Sequence, residues 1–146
     1  MAALTSDRNT PARVGDNRQD TVAANVRIFA GALLMRDAAG NLTPGATATG
    51  ATGVGRAEEA VDNTGGAAGA LSVPWCPGVF QALNHGPDAV SASDLDGLCY
   101  FVDDQTVAAT DGTGTRSPAG IVEAVTSTHV WVRFDAGLTR AAAGTS

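Results

Sequence analysis

The chain has no lysine: its nine basic residues are all arginine, and fifteen carboxylates leave a formal net charge of −6. An acidic chain without a basic stripe is poorly suited to nucleic acid or to an anionic membrane surface. Aromatic residues are scarce, seven in 146, where a sugar-binding platform would need several exposed ones. Only two histidines and two cysteines are present, with neither Cys-x-x-Cys nor His-x-x-x-His spacing, so no zinc set is expected. In a reducing compartment Cys76 and Cys99 read as packed thiols, not as a disulfide. Long apolar runs are missing as well. The longest, VRIFAGALLM, is far short of a membrane span and is interrupted by Arg27. The opening MAALTSDRNTPARVGD lacks a basic stretch followed by an apolar one, and a cytoplasmic site of synthesis is expected.

Large apolar side chains are in short supply too. Alanine accounts for 28 residues, while Leu, Ile, Val and Phe together number 29. At about 25 cal/mol per Å² of buried apolar surface, alanine contributes little, so burial against other chains is expected to supplement the core. A length of 146 residues argues for one domain.

Short apolar runs read as strands: VRIFAGALLMR over 26–36, ALSVPWC over 70–76, VFQAL over 79–83, LCYFV over 98–102, IVEAV over 121–125 and HVWVRF over 129–134. Clusters of Asp, Gly, Asn, Thr and Pro separate them. The best helical candidate is SASDLD over 91–96, where Ser91 and Asp94 have capping-box spacing, and it would last a turn or two. This pattern predicts an all-β fold, a small barrel or sandwich of short antiparallel strands with at most one short helix. Residues 1–25 show neither a strand nor a helix period and read as an extended N-terminal arm. Residues 26–134 form the β-rich body and 135–146 a polar C-terminal tail.

A weak internal repeat runs through the body. GALLMRDAAGNLTPG from Gly31 overlays GLCYFVDDQTVAATDG from Gly97, matching Asp37 to Asp103 and Leu42 to Val107. Each copy predicts a hairpin, followed by a Gly/Thr-rich segment that leads to Gly55-x-x-Glu58 or Gly120-x-x-Glu123, at offsets of 66 and then 65 residues.

None of the possible chemical motifs is complete. The segment GATATGATGVGRAEE over 45–59 has no Lys-Ser/Thr for a Walker loop, and Gly53-Val-Gly55 runs into Arg56 and two glutamates that would repel a phosphate. It reads as a flexible turn feeding a strand. Cys76 and Cys99 would need His85 or His129 as a base to act as nucleophiles, and packing explains both more simply. Asp103-Asp104 reads as a hairpin tip, and Asp88, Asp94 and Asp96 lack the rest of a calcium loop. No enzyme activity, cofactor or metal is expected. His129, Trp131 and Arg133 alternate with Val130, Val132 and Phe134, which places a polar, aromatic-bearing face opposite a core face. A subunit interface is accordingly expected at His129, Trp131 and Arg133, together with Trp75.

Taken together, LTSDRNTPARVGD, IFAGALLMRDAAGNLTPG, VGRAEEAVDNTGGAAGALSVPWCPGVF and CYFVDDQTVAATDGTGTRSPAGIVEAVTSTHVWVRF resemble the small head proteins of tailed bacteriophages and prophages, the capsid decoration or cement proteins. The resemblance spans most of the chain as an overall pattern, without a short diagnostic motif. It implies a β-rich body on the capsid exterior, made in the host cytoplasm and then carried on the virion. The implied partner is the major capsid protein, with the body often a homotrimer and a terminal arm gripping the shell. Arg8, Thr10, Pro11, Arg13 and Arg18 are the arm residues expected to bind capsid. The alternative reading is another virion β module, a tail, fibre or glycan-binding component.

Overall fold

The fold is described from a computed structural model, which describes residues 3, 5–9 and 17–144. Twelve strands and one α-helix follow in chain order: β1 (Arg18–Thr21), β2 (Arg27–Ile28), β3 (Leu33–Arg36), β4 (Leu42–Pro44), β5 (Thr52–Ala57), β6 (Val61–Asp62), β7 (Ser72–Cys76), β8 (Gly78–Asn84), β9 (Leu98–Phe101), β10 (Thr106–Ala108), β11 (Pro118–Val125), β12 (His129–Phe134) and α1 (Ala136–Ala143). The protein is all-β, with α1 its one α-helix among the described residues.

The strands form two five-stranded units, and the chain passes from one to the other through the single residue Pro77. In the first, the order is β1-β7-β5-β3-β4, and a parallel bridge from Val22 to Leu42 brings its two edges together. The second is a closed barrel, β10-β8-β12-β11-β9, sealed by the parallel pair β8–β10. The small pair β2–β6 is a separate ladder whose Ile28 packs into the apolar cluster of the first unit.

These two units are the same fold repeated, down to the register. Leu33 pairs with Arg56 and Leu34 with Gly55; 65 residues on, Leu98 pairs with Ile121 and Cys99 with Gly120. The hairpins match likewise: Met35–Thr43 and Arg36–Leu42 correspond to Tyr100–Ala108 and Phe101–Val107. Each unit carries a register irregularity at the same place, skipping Val54 in the first and Ala119 in the second. On the outer strands, Gln19–Pro74 and Thr21–Ser72 correspond to Gln81–Trp131 and Leu83–His129. Even the closing bonds agree, since Ala23 N–H donates to Leu42 O (2.9 Å) as His85 N–H does to Val107 O (3.0 Å). The repeat therefore extends to all five strands. The hairpins keep an offset of 65 throughout, so Asp37 corresponds to Val102 and not, as the sequence overlay has it, to Asp103.

Alternation explains which side chains form the two cores. In β12 the even-numbered set Val130, Val132 and Phe134 points inward and is buried, while Trp131 points out. Leu34, Leu42, Val54, Ala57, Val73 and Trp75 form the first interior; their counterparts Cys99, Val107, Ala119, Val122, Val130 and Val132 form the second. The two units are docked against each other. Leu33, Met35 and Ala51 of the first join the apolar cluster of the second. Polar bonds cross the same junction: Ser117 Oγ donates to Ala48 O (2.7 Å), Ala51 N–H to Ser117 Oγ (3.1 Å) and Leu33 N–H to Asp104 O (2.8 Å).

Four expectations change. Residues 18–25 belong to the body: β1 pairs with β7, and Val22 is fully buried. The polar RQDT sequence hides this because Asp20, pointing inward, is satisfied by partners from distant strands. The tail forms α1, because Asp135 caps it by accepting from Leu138 N–H (3.1 Å) and an alanine-rich run follows. This helix packs on β5, β9 and β11. The single run over 26–36 is split between β2 and β3 by a turn in which Gly31 adopts φ +85°.

The glycine-rich segment is the fourth. Gly53 and Gly55 are not turn residues but lie inside β5, where a Cβ on Gly53 would overlap the backbone of Ala119 and one on Gly55 the carbonyl of Cys76. Close backbone approach explains them, from the second unit at Gly53 and from the neighbouring strand β7 at Gly55. The short helical stretch is a single 3-10 turn, Ala92–Asp94, in which Asp94 Oδ2 accepts from Ser91 N–H (2.8 Å), the reach-back half of a capping box.

Candidate functional site

Two surfaces stand out, one on each unit. On the first, an unusual polar group lies over buried Trp75 at the mouth, with the Asp20 and Arg36 side chains 37 and 34% exposed. Asp20 Oδ2 accepts from Trp75 Nε1 (2.7 Å) and from Arg36 Nη2 (3.3 Å). Arg18 and Arg36 both lie over the Trp75 ring, at 5.4 and 5.8 Å from its centroid. Such cation–π contacts contribute about 0.5–2 kcal/mol each. Trp75 is therefore an interior residue at 3% exposure and does not serve as an interface side chain, which corrects the expectation placed on it.

Beside this group runs a cleft of about 360 Å³ lined by Arg36, Asp37, Thr52, Val54 and Arg140 among others. A second cleft, lined by Arg18 and Trp75, shares Val54 and Ala136 with it. Three arginines from three elements thus converge on the mouth of the first barrel. Among the described residues Arg36 is paired with Asp20, whereas neither Arg18 nor Arg140 has a carboxylate within salt-bridge distance. The mouth can receive carboxylates of a partner. Of the other arm residues, Arg8 is exposed, and Thr10, Pro11 and Arg13 lie outside the described residues.

The second surface is the outer face of β8 and β12. His129 stands opposite Leu83, Trp131 opposite Gln81 and Arg133 opposite Val79. Val79, Leu83 and Trp131 are 43, 40 and 42% exposed. Arg133 Nε holds Glu123 Oε1 at 2.7 Å on the same side. Three of the four expected interface residues share this face. Val79 and Leu83 were missed because VFQAL reads as a buried strand, and only its pairing with β12 shows which set points out.

The remaining candidates are accounted for by structure. Cys76 Sγ–H donates to Glu58 Oε1 (2.8 Å), which also accepts from Arg56 Nη2 (2.9 Å). Burial and then the Glu58 carboxylate push the Cys76 thiol up, and burial pushes Cys99 up to about 12. Both stay protonated near neutrality and are weak nucleophiles. Neither has a histidine as hydrogen-bond partner among the described residues. Asp88 accepts from Thr110 Oγ1 (2.6 Å) and Arg116 Nη1 (2.8 Å), which ties two loops of the second barrel together. No group of three metal-ligating side chains comes together among the described residues. No helix of those residues is long and apolar enough to cross a membrane.

No family model matches the chain, and neither the curated proteins nor the solved structures contain a match to it.

Proposed function

We propose that the protein is a phage capsid decoration protein that binds the outer surface of the major capsid shell and stiffens it by bridging neighbouring subunits. The observation that carries this reading is the convergence of Arg18, Arg36 and Arg140 at the mouth of the first barrel. Asp37 and Asp135 also line these clefts, but their carboxylates accept backbone N–H bonds in the 37–41 turn and at the start of α1, which leaves Arg18 and Arg140 as guanidiniums without a carboxylate partner among the described residues. Carboxylates of the shell are the natural counterparts, and guanidinium forks bind them with two parallel hydrogen bonds. The segment before β1 extends the same contact. The role is mechanical and makes or breaks no covalent bond.

Mixing the purified protein with expanded empty shells tests this. Co-sedimentation and a raised shell melting temperature are expected; neither effect would leave the reading without support. Truncation to Asn17 is expected to weaken shell binding while the body stays folded, because β1 begins at Arg18. Binding to glycans or tail proteins in place of shells would favour a tail or fibre component.

A further inference from the structure

The duplicated fold supplies an internal control for its own surface. At the outward positions of the outer strand pair, the first unit carries Asn17, Thr21, Ser72 and Pro74. At the same register positions the second carries Val79, Leu83, His129 and Trp131. Both units fold with these strands paired, so the fold itself does not demand apolar side chains there. Leaving three large ones about 40% exposed costs solubility and contributes little to the core. At these register positions they occur on the second unit alone, although Phe29 and Leu71 are exposed elsewhere in the first, and their sharing one face points to something that covers it.

We infer that this face of the second barrel is where a second copy of the chain docks. Charge identifies the occupant. The face carries one guanidinium and one carboxylate, Arg133 and Glu123, both substantially exposed at 51 and 34%. A patch with one charge of each sign is complementary to itself, whereas a strongly acidic or basic partner would meet a like charge. Placed close to a two-fold or three-fold axis, the patch meets its own copies, Trp131 covering apolar neighbours while Arg133 of one chain reaches Glu123 of the next. Closure of the second barrel leaves no free strand edge there, so association uses side chains and not an extended sheet. Six outward residues are fewer than the roughly 20–30 per side of a stable interface. The association is correspondingly weak in dilute solution and strengthens when copies are held side by side. This inference deepens the decoration reading, but its test needs no shell, so the two fail separately.

Sedimentation velocity over a wide concentration range reads it. The full chain is expected to associate with rising concentration, and a double variant, Leu83→Thr with Trp131→Thr, to remain monomeric over the same range with an unchanged circular dichroism spectrum. Charge provides an independent arm: Arg133→Glu and Glu123→Arg are each expected to weaken association at least several-fold. Mixing the two variants is expected to restore it, because opposite charges then face each other between chains. A wild-type chain that stays monomeric throughout, a double variant that associates as the wild type does, or mixed charge variants that fail to recover would each overturn the proposal.

Discussion

Where the first barrel sets Arg18, Asp20 and Arg36 around Trp75, the second sets Phe80, Ala82 and Phe101 around Val132, at the same places in the same register. One scaffold therefore tolerates two kinds of filling. In the second unit Phe101 lies between Phe134, at 6.4 Å between ring centroids, and the backbone of Gly45 from the first unit. In the first, Arg36 is a third exposed and held by a single carboxylate. The outer strand pairs invert this contrast in part, Thr21 and Pro74 of the first unit standing where the second exposes Leu83 and Trp131. Each barrel has thus been specialised differently: the first presents charge at its mouth, and the second seals its interior while presenting apolar groups on its flank.

Substitutions at equivalent positions test that contrast. The largest effect is expected for Phe101→Ala, about 3–5 kcal/mol of stability, because a fully buried ring is lost and Gly45, docked against it, has no side chain to fill the cavity. At the corresponding site Arg36→Ala is expected to cost only about 1 kcal/mol, the scale of a partly exposed ion pair. Urea unfolding of both variants gives the ratio, and equal losses would remove the distinction between the interiors.

Next come Gly55→Ala and Gly120→Ala, whose new Cβ atoms would overlap the carbonyls of Cys76 and Arg133 on the neighbouring strand. Each is expected to cost about 1–3 kcal/mol. The same loss at both sites supports the equivalence of the units, and a large difference breaks it. Trp75→Phe keeps an aromatic ring but removes the donor to Asp20 and part of the buried indole, and about 1–2 kcal/mol is expected from the melting shift.

The smallest expected effect is on acid stability. The Thr110 hydroxyl and the Arg116 guanidinium hold the Asp88 carboxyl below its ordinary range. Its ionised form is favoured by folding, so its contribution is fully present above about pH 4 and is lost as pH falls through the depressed folded value. The gap in melting temperature between wild type and Asp88→Asn should therefore narrow on acidification. Acid sensitivity will persist in the variant, because Glu58 is also held low, chiefly by the Cys76 thiol and the Arg56 guanidinium.

Legibility in the sequence followed the strength of local patterning. HVWVRF reads outward and inward correctly because every second residue is a large apolar one. The hairpins 33–44 and 98–108 are visible through their turns and their common spacing. RQDT is not legible as β1, because its inward residue is an aspartate whose partners, Trp75 and Arg36, lie 55 and 16 residues away. TGVGRA likewise hides β5, since its glycines lower strand propensity and are explained only by backbones that approach from elsewhere in the chain.

The sequence by itself determined the all-β character, the arginine-only cationic chemistry and the positions of the two hairpins, all of which depend on composition and local periodicity. Tertiary structure decided which of the two tryptophans lies inside, that the repeat spans five strands and not three, and which surface of each unit is charged or apolar. Those properties depend on pairing between residues far apart in the chain, and a strand carries no local record of the neighbour that selects its buried face.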